Sequence, residues 1–166
     1  MARHAGRGLA QPGHALIALT APKSAASEAF RTLRTNIQFS GLDQPCRSIV
    51  ITSAVPGEGK TTLVANFGIV SAQAGARVCM IDSDLRRPSL HRLFGVDNAR
   101  GLTTALVEGL SFAEVAQPSR IPNLSLLTSG PLPPNPAGRN APRPLPRSFW
   151  ALWGARRARP RLFHLR

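Results

Sequence analysis

A glycine-rich loop of ten residues, SAVPGEGKTT, constrains the fold of this chain more than any other feature. It occupies residues 53–62, after the β-branched run RSIVIT at 47–52 and at the start of a helix predicted over 61–74. Gly57 and Gly59 allow the backbone to turn its N–H groups inward, toward phosphate oxygens, and the N-terminus of the helix faces the same negative charge. Strand, loop and helix together therefore predict a site for the phosphates of a nucleotide.

Two side chains of this loop have the chemistry that a nucleotide site requires. Lys60, one of only two lysines in the chain, is expected to reach the β- and γ-phosphates, and the hydroxyl of Thr61 is expected to ligate Mg²⁺. The alternative is a turn that contains glycines by chance, and the loop has Ala54 where the strict pattern begins with glycine. The predicted cofactor-binding residues are Pro56, Gly57, Glu58, Gly59, Lys60, Thr61 and Thr62.

A second polar group follows the next buried strand. The run RVCMI at 77–81 leads into Asp82, Asp84 and Arg86. Open parallel α/β sheets bind ligands beyond the carboxyl ends of their strands, so these residues are expected beside the glycine-rich loop. Asp82 is then a candidate to hold Mg²⁺ through water, or to accept a proton from a hydroxyl nucleophile. The alternative is an Asp-rich turn that caps a helix predicted at 88–94.

Strands alternate with helices along the middle of the chain. Further helices are predicted at 24–40, at 88–94 and, with a break near Gly109, at 102–117, and a third strand at 123–128. This alternation predicts an α/β fold with a parallel sheet covered by helices on both faces. No apolar run approaches the roughly 20 residues of a membrane helix. Two cysteines without a CxxC pattern predict neither a disulfide framework nor a cysteine zinc site.

The positive charge is concentrated near the ends of the chain. The formal net charge is +13, and residues 137–166 contain eight arginines, both tryptophans and no acidic residue. Residues 28–136 contain ten basic and eight acidic residues, which predicts no specific nucleic-acid partner, although the tail has the composition of a nucleic-acid or membrane-surface arm. We therefore divide the chain into a flexible segment at 1–23, a partial α/β domain at 24–136 and an aberrant Arg/Pro-rich tail at 137–166.

Together these motifs resemble the bacterial tyrosine kinases of capsular and exopolysaccharide biosynthesis, a branch of the deviant P-loop ATPases that also contains partitioning and division-site ATPases. The similarity runs from about residue 15 to residue 137 and includes SEAFRTLRTNIQF at 27–39, the glycine-rich loop, Asp-x-Asp-x-Arg from Asp82, and SGPLPPNP at 129–136. Partitioning ATPases have a signature lysine in the loop where this chain has Val55. That difference disfavours the partitioning group.

The resemblance implies a P-loop NTPase-like fold and an ATP- and Mg²⁺-dependent protein tyrosine kinase that phosphorylates itself and acts in polysaccharide export. It implies catalytic roles for Lys60, Asp82, Asp84 and Arg86, and Mg²⁺ ligation by Thr61 and Asp82. It also implies a cytoplasmic protein that lies at the inner face of the plasma membrane through a membrane chain-length-determinant or activator protein.

The resemblance further implies self-association through the predicted helix at 24–40. Glu28, Arg31 and Arg34 match a Glu-x-x-Arg-x-x-Arg element that serves this purpose in the family. From the residues alone, the same spacing also describes a solvated helix face, whose charge pairs contribute about 0.2–0.5 kcal/mol each.

The resemblance ends near Ala137. The family continues with an apolar strand that ends in aspartate and with a C-terminal tyrosine cluster, whereas no acidic residue follows Glu114 here and the chain has no tyrosine. We expect a sheet that is incomplete at the C-terminus, with exposed apolar edges and poor solubility, and we hypothesise that the tail is an out-of-frame translation. A catalytically inactive ATP-binding fragment that acts only by association is then the alternative function, and a ParA/MinD-type ATPase is a weaker one.

Overall fold

The computed structural model describes residues 15–40, 46–132 and 161–165 of the chain. Its helices are α1 (Ile17–Thr20), α2 (Ala25–Phe39), α3 (Lys60–Gln73), α4 (Leu90–Phe94), α5 (Leu102–Glu108) and α6 (Phe112–Val115). Its strands are β1 (Ser48–Ile51), β2 (Val78–Asp82), β3 (Gln117–Pro118), β4 (Leu124–Leu127) and β5 (Arg161–Leu165). Among the described residues, no helix has the length and apolar composition needed to cross a membrane.

The strands form one sheet in the order β1-β5-β2-β4-β3. All neighbours are parallel except β3 and β4, which are antiparallel. The antiparallel edge arises because the helix predicted to reach residue 117 ends at Val115, before a Gln-Pro step that favours extended backbone. A short turn at 119–123, with Asn123 at φ 64°, then reverses the chain into β4.

Helices cover both faces of the sheet, as the alternating pattern predicts. Val78 and Met80 of β2 belong to a core shared with α3, and the intervening Cys79 and Ile81 belong to a second core with α5 and α6. On the first face, α1 and α2 pack against α3. The predicted α/β fold of the P-loop type is therefore confirmed.

The position between β1 and β2 is occupied by β5, which is parallel to both. Phe163 is in register with Ile49 of β1 and with Met80 of β2. The sequence predicted a sheet that is incomplete at the C-terminus and did not predict this strand, which is the part of the tail that the structure describes. Two facing strands with unpaired N–H and C=O groups offer a full set of backbone hydrogen bonds to almost any extended segment. The rest of the tail lies outside the described residues.

The N-terminal region contains an element that the sequence did not predict. Within the segment assigned as flexible, α1 lies in the core, with Ala18 fully buried. The N–H of Ala18 donates to Oδ1 of Asn66 at 2.9 Å, and Nδ2 of Asn66 donates to the carbonyl oxygens of Ala15 at 2.7 Å and Thr62 at 2.8 Å. One buried amide side chain therefore holds α1 against the first turns of α3.

Candidate nucleotide-binding site

The glycine-rich loop connects β1 to α3 and has the backbone conformation that its sequence predicts. Gly57 and Gly59 have φ angles of 88° and 91°, in the left-handed region that favours glycine. A Cβ atom at either position would meet nothing within 4 Å, so the backbone conformation rather than lack of space requires glycine there. Gly59 is the N-cap of α3 and provides no side-chain cap, which leaves the N-terminus of this 14-residue helix open to an anion.

Lys60 lies across the loop toward the end of β1. Its Nζ donates to Oγ of Ser53 at 2.7 Å, and Oγ of Ser53 donates to the carbonyl oxygen of Val55 at 3.0 Å. Oε2 of Glu58 accepts a hydrogen bond from the N–H of Val55 at 3.3 Å. A carboxylate therefore contacts one of the loop amides, which are the groups that bind phosphate oxygens in loops of this kind.

The second predicted group consists of Asp82, the last residue of β2, and Asp84, two residues further on, and Asp82 contacts the start of α4. Oδ2 of Asp82 accepts the N–H groups of Ser89 and Leu90, both at 2.9 Å, and its Oδ1 accepts the N–H of Asp84 at 3.2 Å. Asp82 is fully buried, and burial raises the pKa of its carboxyl group above the ordinary value, against the opposing effect of the N–H donors.

Asp84 holds the turn that follows. Its Oδ1 accepts the N–H groups of Arg86 at 3.2 Å and Arg87 at 3.0 Å. The Asp-rich turn that caps the next helix, the alternative interpretation of these aspartates, is thus present in the structure. This capping turn is compatible with a role of the aspartates in nucleotide binding, because the turn lies at the carboxyl end of β2. The side chain of Arg86 is exposed.

The loop and the aspartate segment meet through two hydroxyl groups. Oγ1 of Thr61, in the first turn of α3, lies 2.7 Å from Oγ of Ser89. Ser89 also donates its N–H to Asp82. The predicted Mg²⁺ ligands Thr61 and Asp82 are therefore connected through one residue, Ser89, which the sequence analysis missed.

The donors present fit Mg²⁺ bound together with a nucleotide. Through Ser89, the structure links the hydroxyl group of Thr61 to the carboxylate of Asp82, and hard oxygen ligands of these kinds are the ones that Mg²⁺ prefers. Within the described ranges, no three His, Cys, Asp or Glu residues form a group that would hold a metal ion by themselves. Such a site matches Mg²⁺ held by one or two protein groups and completed by phosphate oxygens and water.

The residues predicted for self-association lie on α2, on the α3 side of the sheet. Arg31 forms an ion pair with Glu28, whose side chain is 63% exposed, and donates to the carbonyl oxygen of Pro22 at 2.7 Å. Arg34 donates to the carbonyl oxygen of Val70 in α3 at 3.1 Å. Both arginines therefore have partners within the chain.

The SGPLPPNP segment begins in a buried polar network after β4. The N–H and C=O of Gly130 pair with the side-chain amide of Asn98, each at 3.0 Å. The N–H groups of Leu102 and Thr103, at the start of α5, donate to the carbonyl oxygens of Thr128 and Ser129. The network fixes the start of the segment, and residues from 133 onward lie outside the described residues.

Asn66, which holds α1, and Ser89, which contacts Thr61, were both missed by sequence reasoning, for different reasons. Asn66 is a lone amide in the apolar run LVANFGIV, a contrast that could have drawn attention to it. Ser89 immediately precedes a helix, where serine ordinarily predicts only an N-cap. Its contact with Thr61 joins residues 28 apart in the sequence, and no local pattern indicates it.

Comparison with known proteins agrees with this geometry. Residues 49–127 match the model of the CobQ/CobB/MinD/ParA nucleotide binding domain. The chain is 50% identical over 122 residues to tyrosine-protein kinase YwqD of Bacillus subtilis, an alignment that covers 74% of this chain and 52% of YwqD. It is 40% identical over 116 residues to putative tyrosine-protein kinase CapB of Staphylococcus aureus, covering 70% of this chain and 51% of CapB. The chain spans about half the length of these relatives.

Comparison with solved structures agrees with the sequence comparisons. The crystal structure of the chimerical protein CapA2B2 superposes with a TM-score of 0.75 at 35% identity, covering 92% of this chain and 66% of that one. The fold and the glycine-rich loop define a nucleotide-binding domain of the P-loop class. Within that class, the chain is a homologue of bacterial proteins named tyrosine-protein kinases, among them YwqD and CapB.

Proposed function

We propose that this chain binds ATP together with Mg²⁺ and forms the nucleotide-binding part of an ATP-dependent protein tyrosine kinase acting in capsular or exopolysaccharide biosynthesis and export. The observation that carries the proposal is the contact of Thr61 with Ser89, which joins the loop and the open N-terminus of α3 to the Asp82 turn. A phosphate group at the loop would have the open N-terminus of α3 and a lysine beside it, and Mg²⁺ bound with that phosphate would have hard oxygen donors nearby.

The proposed roles follow from where each side chain lies. Lys60 contacts the β- and γ-phosphates after leaving Ser53, and Thr61 ligates Mg²⁺, which neutralises phosphate charge when bound. Asp82 holds Mg²⁺ through water and fixes the turn that carries Asp84 and Arg86. Since both oxygens of Asp82 accept backbone N–H groups, its positioning role is the part that its contacts support best.

The remaining loop residues supply the phosphate cradle. Gly57, Glu58, Gly59 and Thr62 provide backbone N–H groups toward the phosphates, and Pro56, which has no N–H, restricts the backbone of the turn before them. Glu58 must release the N–H of Val55 for that amide to bind phosphate, because a single N–H cannot serve both acceptors well.

We further propose that the α2 surface around Glu28, Arg31 and Arg34 supports self-association, and that a membrane chain-length-determinant or activator protein brings the chain to the inner face of the plasma membrane. The exposure of Glu28 supports the first part. Arg31 and Arg34 donate hydrogen bonds to Pro22 and Val70 within the chain. In a self-associated form, a second copy would have to replace these hydrogen bonds or accept additional ones.

A catalytically inactive ATP-binding fragment is the second candidate, and one specific observation favours it. Leu165, in register with Asp82, is at the carboxyl end of the central strand β5. No acidic residue follows Glu114 in the sequence, so the tail brings no carboxylate to this edge. A ParA/MinD-type ATPase is a weaker candidate, supported by the matching domain model and disfavoured by Val55 at the position of the signature lysine.

Transfer of radiolabelled phosphate from ATP tests the proposal. Because the sequence contains no tyrosine, the acceptor must be added, and a synthetic Glu/Tyr copolymer is suitable. Lys60→Met is the test variant, and Lys23→Met is its matched control, since Lys23 is the only other lysine and is exposed. Transfer that is lost only in Lys60→Met supports the kinase. Nucleotide binding without transfer supports the inactive fragment.

A further inference from the structure

Ser89 has the sequence position of a helix cap, but its hydroxyl group does not cap a helix. It immediately precedes α4, and its side chain makes no capping hydrogen bond to that helix. The N–H groups of Ser89 and Leu90 are instead satisfied by Oδ2 of Asp82. The hydroxyl of Ser89 lies 2.7 Å from the hydroxyl of Thr61. A serine that is not needed for capping thus contacts the residue expected to ligate Mg²⁺.

The position of Ser89 is fixed by its neighbours. Its N–H is bonded to a fully buried carboxylate, the next residue, Leu90, is fully buried in the core, and the preceding Pro88 is also buried. The half-buried hydroxyl is therefore presented to Thr61 from a backbone that is held on both sides. A contact of this kind does not depend on the rotamer of a long surface side chain.

We infer that Ser89 is a positioning residue for the hydroxyl of Thr61 and thereby sets the affinity for the Mg²⁺ complex of a nucleotide. A hydroxyl that ligates a metal uses an oxygen lone pair, and its proton must be donated elsewhere. Oγ of Ser89 is an acceptor at hydrogen-bond distance for that proton, which leaves the lone pairs of Thr61 for the metal. Partners that orient a metal ligand commonly change metal affinity by about 10- to 100-fold. The inference rests on the proposed nucleotide-binding function.

Binding of a fluorescent ADP analogue to the full chain, with Mg²⁺ and with excess EDTA, tests the inference. The measured quantity is the Mg²⁺-dependent gain in affinity, which is the dissociation constant in EDTA divided by the dissociation constant in Mg²⁺. In Ser89→Ala, we expect this Mg²⁺-dependent gain to fall by about 10-fold or more while binding in EDTA is unchanged. Ser89→Thr, which retains a hydroxyl group, should recover most of the gain. Ser40→Ala, which removes an exposed serine hydroxyl at the end of α2, is the matched control.

Each other outcome overturns the inference. A normal Mg²⁺-dependent gain in Ser89→Ala shows that Thr61 needs no partner. Equal losses in Mg²⁺ and in EDTA show that Ser89 supports the fold of the site rather than the metal ligand, and thermal melting of the variant identifies that case. If the unsubstituted chain binds no nucleotide in either buffer, the proposed function itself fails, and this inference fails with it.

Discussion

The guanidinium group of Arg34 donates a hydrogen bond to the carbonyl oxygen of Val70 across 3.1 Å, and so joins α2 to the last turn of α3. The same carbonyl oxygen accepts the N–H of Ala74 at 3.3 Å, so Arg34 is its second donor. A cation near the C-terminus of a helix also interacts favourably with the helix dipole. Arg34, which matches the self-association element of the family, thus stabilises α3, the helix that begins at the glycine-rich loop.

Arg34→Ala should therefore destabilise the chain itself. A partly buried hydrogen bond to a charged group contributes about 1.5–3 kcal/mol, so we expect a loss of about 2 kcal/mol in urea denaturation. Arg31→Ala removes a more exposed ion pair and should cost less than about 1 kcal/mol. If Arg34→Ala changes the oligomeric state while the free energy of unfolding stays the same, Arg34 acts in association alone.

Asn66→Ala should release α1 from α3. The substitution leaves the buried N–H of Ala18 and the carbonyl oxygen of Ala15 without the partners that Asn66 provides. An unsatisfied buried polar group costs about 1–3 kcal/mol. We expect the amide of Ala18 to lose its protection in hydrogen exchange, whereas the core strand β2 keeps most of its protection. Unchanged protection at Ala18 would contradict the role assigned to Asn66.

The burial of Asp82 predicts the sign of a pH effect. Its pKa in the folded chain is raised, chiefly by burial, from an unfolded value of about 3.9. A carboxyl group of this kind contributes stability that is fully present below the unfolded pKa and is lost as the pH rises through the folded pKa. The free energy of unfolding, relative to Asp82→Asn, should therefore fall as the pH rises from about 4. The opposite slope in urea denaturation would mean that the N–H donors dominate over burial.

The pairing of β5 with β1 and β2 predicts that a proline in this strand destabilises the sheet. Proline at Phe163 removes a backbone N–H from a strand with neighbours on both sides. We expect Phe163→Pro to lower the melting temperature and to promote association through the opened strand edges, measured by light scattering. Phe163→Leu keeps the N–H and is the control. Equal behaviour of the two variants would show that β5 contributes little to the sheet.

Local patterns were sufficient to predict the part of the fold that carries the site. The β1-loop-α3 unit and β2 are encoded by β-branched runs, glycines and a helical period that lie within a few residues of one another. The glycines at 57 and 59 were predicted to turn the loop, and both have positive φ angles. Asp82 was predicted at the carboxyl end of the second strand, and it is the last residue of β2.

Features that depend on distant contacts were not predictable in this way. β5 pairs with two strands that lie far away in the sequence, and no local pattern indicates these partners. The Thr61–Ser89 contact depends on where α4 starts relative to the sheet, which is fixed by Asp82. The antiparallel β3 depends on Pro118, whose effect on the preceding residue ended a helix that the apolar pattern alone would have continued.

Equilibrium binding of ATP to the full chain in the presence of Mg²⁺ tests the central claim most directly. The account predicts saturable binding by the unsubstituted chain and by Lys23→Met. It predicts a loss of at least about 10-fold in affinity for Lys60→Met, since a charged contact to phosphate contributes about 1.5–3 kcal/mol. No saturable binding, or equal affinities for Lys60→Met and Lys23→Met, would contradict the assignment of the glycine-rich loop as a nucleotide site.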